Sequence, residues 1–161
     1  MIEYLRDEKG LHNLLYAYSP DKFLSQEEYL DFYPGDDYVD ILGVDDYHGL
    51  TNAETAKQTV RRLQILADIA SEKDKISALS ETGAEAIPIE DWWTNVLLKT
   101  IKTDEKTRSI AWVLVWRNAN SKHHYAPYPG HSSADDFKKF KDDPFVLFED
   151  ELPPLYKSPK R

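Results

Sequence analysis

The sequence of 161 residues contains no cysteine, which excludes disulfide bonds, thiol catalysis and zinc sites built on cysteine. Positive charge is scarce, because 20 lysine and arginine residues stand against 29 aspartate and glutamate residues, for a net charge of −9. Since a nucleic-acid partner requires a basic face, this balance argues against binding of DNA or RNA. No apolar run has the length of a membrane span, and the opening MIEYLRDEKG does not have the pattern of a signal peptide.

Hydrophobic residues make up 41% of the sequence, which is enough for a packed core. Four short apolar runs stand out, at residues 12–18, 38–44, 76–81 and 109–116. Runs of this length predict buried parallel strands, and the segments between them have polar, helix-like patterning. The alternation of strand and helix predicts an α/β fold with a parallel sheet.

The helix-like segments lie at residues 1–9, at 25–33, from residue 51 onward, at 90–102 and at 133–143. Ser25 is expected to cap the second of these helices. Thr51 and Glu54 have the spacing of a capping box, which predicts the start of the third. One apolar stripe follows along that helix at steps of four and three, formed by Ala56, Val60, Leu63, Ala67 and Ala70.

The ends of the predicted strands distinguish between two α/β architectures, an open doubly wound sheet and a (β/α)8 barrel. No glycine-rich turn follows the first strand, so a nucleotide-binding open sheet loses its main support. Every strand ends in polar or aromatic residues, which read SPD, DDYHG, SETG and WRN. In a barrel these ends face one mouth, where active sites are built. A barrel has eight strands and about 250 residues, so the four strands here predict half of one.

Several motifs in order extend this interpretation: DYVDILGVDDYHG, ALSETGAEAIPIEDWWTNVLL, WVLVWRNA and HHYAPYPGHSSADDFKKF. Together they resemble the C-terminal half of a β-mannanase of glycoside hydrolase family 26. The resemblance implies strands five to eight of a (β/α)8 barrel in residues 1–152, with a C-terminal tail at 153–161. It also implies cleavage of internal β-1,4-mannosidic bonds with retention of configuration, without a cofactor, in a periplasmic, cell-surface or extracellular setting.

The resemblance also assigns candidate site residues. Glu81 matches the nucleophile, and Tyr47 matches a tyrosine that donates a hydrogen bond to it. Four further positions match residues of the sugar-binding cleft: Asp45 beside the cleavage point, Trp116 as the floor under the sugar there, Arg117 as a contact to a sugar hydroxyl, and His131 as a cleft histidine. Trp92 and Trp93 open a helix and are expected to pack outside the cleft. His123, His124 and His131 do not have the spacing of a zinc site, so no metal is expected.

The acid/base glutamate of the family lies in a His-Glu motif after strand four, and this sequence contains no such motif. The sequence begins at about the helix after that strand, so we expect the isolated chain to be inactive. We expect mannan as the substrate, and self-association or the remaining half-barrel as the protein partner. Two alternatives stay open: an inactive half-barrel with at most weak sugar binding, and a β-glucanase or xylanase of the same clan.

Overall fold

The computed structural model of the protein describes residues 1–153, so the predicted tail lies outside the described residues except for Pro153. Four parallel strands form one sheet in the order of the chain. They are β1 (Ala17–Tyr18), β2 (Ile41–Asp46), β3 (Ile76–Thr82) and β4 (Val113–Val115). Each strand lies in one of the four predicted apolar runs or overlaps most of it, which confirms the strand predictions.

Helices connect the strands, and one further helix follows the last strand. They are α1 (Gln26–Leu30), α2 (Ala56–Lys73), α3 (Lys99–Ile101), α4 (Glu105–Arg108) and α5 (Ala134–Lys141). A π-helical segment, Trp93–Leu98, leads directly into α3, and another, Tyr4–Glu8, lies near the start of the sequence. Short 3-10 turns occur at Asp36–Tyr38, Gly49–Thr51 and Glu149–Glu151. None of the helices in residues 1–153 combines the length and the apolar character that a bilayer-spanning segment requires.

The predicted helix caps had different outcomes. Ser25 caps α1 as predicted, because its hydroxyl accepts the N–H of Glu28 at 3.2 Å. The predicted capping box at Thr51 is wrong, since Thr51 lies in a 3-10 turn and α2 begins only at Ala56. The side-chain oxygen of Asn52 instead accepts the N–H of Thr55 at 3.1 Å. A short polar side chain that bonds to nearby backbone N–H groups favours a turn over an earlier helix start.

The core lies between the sheet and the connecting helices. Leu42, Val44 and Leu79 are fully buried and belong to the same apolar cluster as Leu63 and Leu66 of α2. The two adjacent tryptophans are also in this cluster rather than in a cleft, as predicted: Trp92 and Trp93 are 0% and 1% exposed. This packing fixes the sheet, so the ends of its strands are held at defined positions.

Candidate active site

Glu81 and Tyr47 meet where two neighbouring strands end. Glu81 lies near the end of β3, and Tyr47 directly follows β2. The Tyr47 hydroxyl donates a hydrogen bond to Oε2 of Glu81 at 3.0 Å, and both side chains are half-buried. Because β2 and β3 run parallel, their carboxyl ends lie at the same edge of the sheet. The sequence-predicted pair is therefore in direct contact.

A β-bulge sets the direction in which Glu81 points. Gly43 of β2 lies opposite Ala78 of β3, and the next pair is formed by Asp45 and Glu81. Between these two pairs, β2 advances by two residues and β3 advances by three. β3 therefore contains one extra residue, and the pairing with β4 shifts over the same stretch. Without the bulge, alternation would place Glu81 on the same side as the buried Leu79. The extra residue brings Glu81 to the side of Asp45.

Asp45 is held beside Glu81 by a serine from the neighbouring strand end. The Ser19 hydroxyl donates to Oδ1 of Asp45 at 2.8 Å and also contacts the Ser80 hydroxyl. Gly43 of β2 lies next to both serines. A Cβ at this position would lie 2.8 Å from the Ser19 oxygen and would overlap Ser80. Gly43 therefore leaves the space in which the two serines support Asp45.

Burial and the charge of Glu81 both raise the pKa values of the neighbouring Asp45 and Tyr47. Burial raises the pKa of the Asp45 carboxyl above its usual range, the Ser19 hydrogen bond opposes this, and the neighbouring Glu81 charge adds to it. The pKa of the Tyr47 hydroxyl is raised well above its usual value, first by burial and then by its bond to the Glu81 carboxylate. Tyr47 thus remains a protonated donor, and a donor at this position stabilises negative charge on Glu81.

Trp116 and Arg117 follow β4. The Trp116 backbone N–H donates to the carbonyl of Thr82 at 3.0 Å, so the half-buried tryptophan lies next to the strand end that carries Glu81. Arg117 is exposed, and within residues 1–153 no hydrogen bond joins it to Tyr47 or Glu81. The structure therefore brings Trp116 to the site, whereas Arg117 is an exposed residue beside it in the chain.

His131 belongs to a separate cluster of rings. Its Nε2 donates to the carbonyl of Ala86 at 3.3 Å, and its Nδ1 accepts the N–H of Ser133 at 3.1 Å. The ring lies 5.3 Å from the His124 ring and 5.2 Å from the Tyr128 ring. His131 thus contacts the loop that follows β3 rather than Glu81 itself. In the part of the chain that the structure describes, no group of three or more histidines and carboxylates is arranged to hold a metal ion.

Comparisons with known proteins match this chain to a family and to a fold. Residues 1–151 match the model of glycosyl hydrolase family 26. The chain belongs to this family. A mannan endo-1,4-beta-mannosidase of Bifidobacterium adolescentis is 32% identical over 159 residues, which is 88% of this chain and 16% of that protein. A mannan endo-1,4-beta-mannosidase of Bacillus subtilis is 50% identical over 44 residues, 27% of this chain and 12% of that protein.

Solved structures extend the likeness to three dimensions. A family 26 beta-mannanase from Bacteroides ovatus is 43% identical with a TM-score of 0.83, covering 98% of this chain and 46% of that one. A protein designated GH26C from Muricauda sp. MAR_2010_75 is 35% identical with a TM-score of 0.89, covering 99% of this chain and 44% of that one. This family 26 chain is therefore a partial (β/α)8 barrel, and it spans less than half the length of these relatives.

The sequence alone did not indicate two residues around the site of this family 26 chain, Asp46 and Tyr125. Asp46 follows the candidate residue Asp45 directly, and it is fully buried. Tyr125, from the segment after β4, packs its ring edge-on against Tyr47 at 5.9 Å. The Tyr125 ring also packs closely against Gly83. This contact is possible because Gly83 has a φ of +136° and no Cβ. No spacing in the sequence links Tyr125 to the site, because the contact depends on how two loops pack.

Proposed function

We propose that this chain forms the nucleophile side of the active site of a retaining endo-β-1,4-mannanase, with Glu81 as the nucleophile. The hydrogen bond from Tyr47 to Glu81 at the carboxyl ends of two parallel strands carries the proposal. Active sites of (β/α)8 barrels lie at this end of the strands. The family membership and the relatives that are named mannan endo-1,4-beta-mannosidases support mannan as the substrate.

Glu81 would attack the anomeric carbon of the sugar at the cleavage point and form a covalent glycosyl-enzyme, which water then hydrolyses. The same reaction requires a second carboxyl group about 5–5.5 Å away, which protonates the leaving oxygen and later activates the water. The sequence contains no His-Glu pair of the kind that carries this group in the family. We therefore propose that residues outside this sequence supply the acid/base glutamate, and that residues 1–161 alone do not complete hydrolysis.

The remaining site residues have proposed roles in holding the sugar. Asp45 lies opposite Glu81 and presents a carboxylate to the sugar at the cleavage point. Trp116 offers a ring of the kind on which a pyranose stacks. Arg117 and His131 would contact sugars further along the cleft. Mannan, glucomannan and galactomannan are the proposed substrates, in the periplasm, at the cell surface or outside the cell.

The proposed protein partner is a polypeptide that supplies the remaining strands of the barrel. β1 and β4 are the outer strands of the sheet in residues 1–153. Unpaired outer strands present free N–H and C=O groups, which favour pairing with further strands. A second copy of the chain is the alternative partner, and sedimentation of the isolated chain detects it.

A covalent labelling experiment tests the nucleophile independently of the acid/base group. A fluorinated mannobioside with a dinitrophenolate leaving group needs no protonation to leave, so Glu81 alone is expected to form the glycosyl-enzyme. Mass spectrometry of peptides should then locate the added sugar on Glu81. Glu81→Gln should abolish the labelling. Glu85→Gln is the matched control, because Glu85 lies on the following loop and bonds to His123 at 2.7 Å instead of to Tyr47.

The outcomes separate the substrate class from the mechanism. Faster labelling by the mannobioside than by the corresponding cellobioside and xylobioside supports a mannanase. Faster labelling by either of the others would assign a glucanase or a xylanase on the same scaffold. A label on another residue, or labelling that survives Glu81→Gln, would overturn the assignment of the nucleophile. Hydrolysis of soluble galactomannan by residues 1–161 would overturn the proposal that the chain alone is inactive.

A further inference from the structure

Asp46 lies between two residues of the proposed site, Asp45 and Tyr47, but its side chain points toward α2. The side chain is 0% exposed, and its carboxylate accepts three hydrogen bonds. These come from the Gly49 N–H at 2.8 Å, the Thr59 hydroxyl at 2.8 Å and Nη1 of Arg62 at 2.7 Å. A carboxylate with this many donors is fixed in position.

The bond from Gly49 closes a turn around Tyr47. The Asp46 side chain accepts the N–H three residues later, so Tyr47 and His48 lie inside the turn. A Cβ on Gly49 would overlap the Thr59 hydroxyl and lie 2.8 Å from Oδ2 of Asp46, so the turn packs closely on the carboxylate. The backbone that carries Tyr47 is thus set by the position of the Asp46 side chain.

Arg62 holds this carboxylate from the opposite side. It is 3% exposed, pairs with Asp46 through Nη1, and donates from Nε to the carbonyl of Phe23 at 3.0 Å. A buried carboxylate that loses its charged partner is strongly unfavourable. Asp46 therefore depends on Arg62 to remain buried in this arrangement.

A second bond connects Asp46 to the strand of the nucleophile. The hydroxyl of Thr82, the residue after Glu81, donates to the carbonyl of Asp46 at 2.6 Å. The ends of β2 and β3 are therefore joined twice, by Thr82 and Asp46 inside the protein and by Tyr47 and Glu81 at the mouth.

We propose that Arg62 is a positioning residue: acting through Asp46, it holds the Tyr47 hydroxyl within hydrogen-bond distance of Glu81. The catalytic meaning of that distance rests on the proposed function, whereas the positioning is a property of the folded chain and can be measured without substrate.

Fluorine NMR of the chain labelled with fluorotyrosine measures the environment of Tyr47 directly. The Tyr47 signal is assigned by its loss in Tyr47→Phe, and its titration midpoint should lie well above those of exposed tyrosines, because burial raises its pKa. In Arg62→Met and in Thr82→Val the midpoint is expected to fall by about one pH unit or more, since Tyr47 gains solvent and moves from Glu81. Thr100→Val is the matched control, because it removes a buried hydroxyl that bonds only within its own helix, to the Val96 carbonyl at 2.7 Å.

Circular dichroism establishes that each variant is folded, and if Arg62→Met does not fold, Arg62→Lys replaces it. An unchanged Tyr47 midpoint in the folded Arg62 and Thr82 variants would overturn the proposal, as would an equal fall in Thr100→Val. The labelling experiment reports separately on the proposed function. Failure to label Glu81 in a chain whose Tyr47 midpoint responds as expected would remove the proposed nucleophile and leave the positioning intact.

Discussion

Asp45 and Glu81 lie directly opposite each other in the β2–β3 ladder, although the count of residues from the preceding pair differs between the two strands. The extra residue in β3 places two carboxylates side by side at the mouth, one supported by Ser19 and the other by Tyr47. Bulges commonly redirect side chains next to active sites. The geometry leads to four predictions beyond the test of Arg62.

Removal of the Tyr47 hydroxyl should slow the covalent labelling of Glu81. A hydrogen bond to a charged group contributes about 1.5–3 kcal/mol, so Tyr47→Phe should reduce the rate by about tenfold to a hundredfold. The measurement is the labelling rate at neutral pH. Tyr125→Phe is the control, because Tyr125 contacts Tyr47 through its ring. In this variant Glu81 should be labelled at the unchanged rate. Equal slowing in both variants would contradict a specific role for the Tyr47 hydroxyl.

Asp45→Asn should stabilise the chain at neutral pH. Burial raises the pKa of Asp45 in the folded state, so the folded state binds this proton more tightly than the unfolded state does. The resulting stabilisation is present below the ordinary aspartate pKa of about 3.9 and is lost as the pH rises through the raised value. Denaturant unfolding should therefore show Asp45→Asn to be more stable than the unchanged chain near pH 7, with the difference vanishing below about pH 4.

The control for this pH dependence is Asp135→Asn on α5. Lys138 lowers the pKa of Asp135, so its replacement should have the opposite sign and destabilise the chain near neutral pH. A stability of Asp45→Asn below that of the unchanged chain near pH 7 would show that the hydrogen bond from Ser19 outweighs burial.

Gly43→Ala should disturb the site through steric overlap. The new methyl group would overlap Ser80 and press on Ser19, and overpacking of this kind typically costs about 1–3 kcal/mol. The displaced Ser19 should release Asp45, so the labelling of Glu81 should slow. The variant should also unfold at a lower denaturant concentration. Gly10→Ala is the comparison, since no atom lies within 4 Å of its new methyl group and only its left-handed backbone is strained. It should lower stability without changing the labelling rate.

The chain studied alone should self-associate through its outer strands. Leu114 of β4 is 44% exposed and Trp112 beside it is 39% exposed, on a strand with one neighbour within the described residues. Sedimentation velocity at several concentrations should show assemblies, and Leu114→Lys should reduce them. Leu24→Lys, which replaces a leucine that is 71% exposed just before α1 and outside any strand, should not. A stable monomer across the concentration range would show that the edges need no partner.

The apolar runs predicted all four strands because a buried strand leaves a local record in the sequence, a short run of apolar residues between polar segments. The start of α2 was misplaced because residues 51–55 form turns of their own. The Asn52 side chain bonds to the Thr55 N–H within such a turn, and α2 begins only at Ala56, without a side-chain cap. Glu81 and Tyr47 were identified as a pair by resemblance to a family, and the structure places them in contact.

The sequence by itself determined the order of strands and helices, the polar residues at the strand ends and the family, because each is written in residues that lie close together along the chain. The tertiary structure alone decided that Glu81 faces Asp45. A bulge is a difference in residue count between two paired strands, so the sequence of one strand cannot predict it. The tertiary structure also decided that Asp45 lies at the mouth whereas Asp46 is buried against Arg62. Two identical neighbours in the sequence acquire opposite environments because successive side chains of a strand point to opposite faces of the sheet.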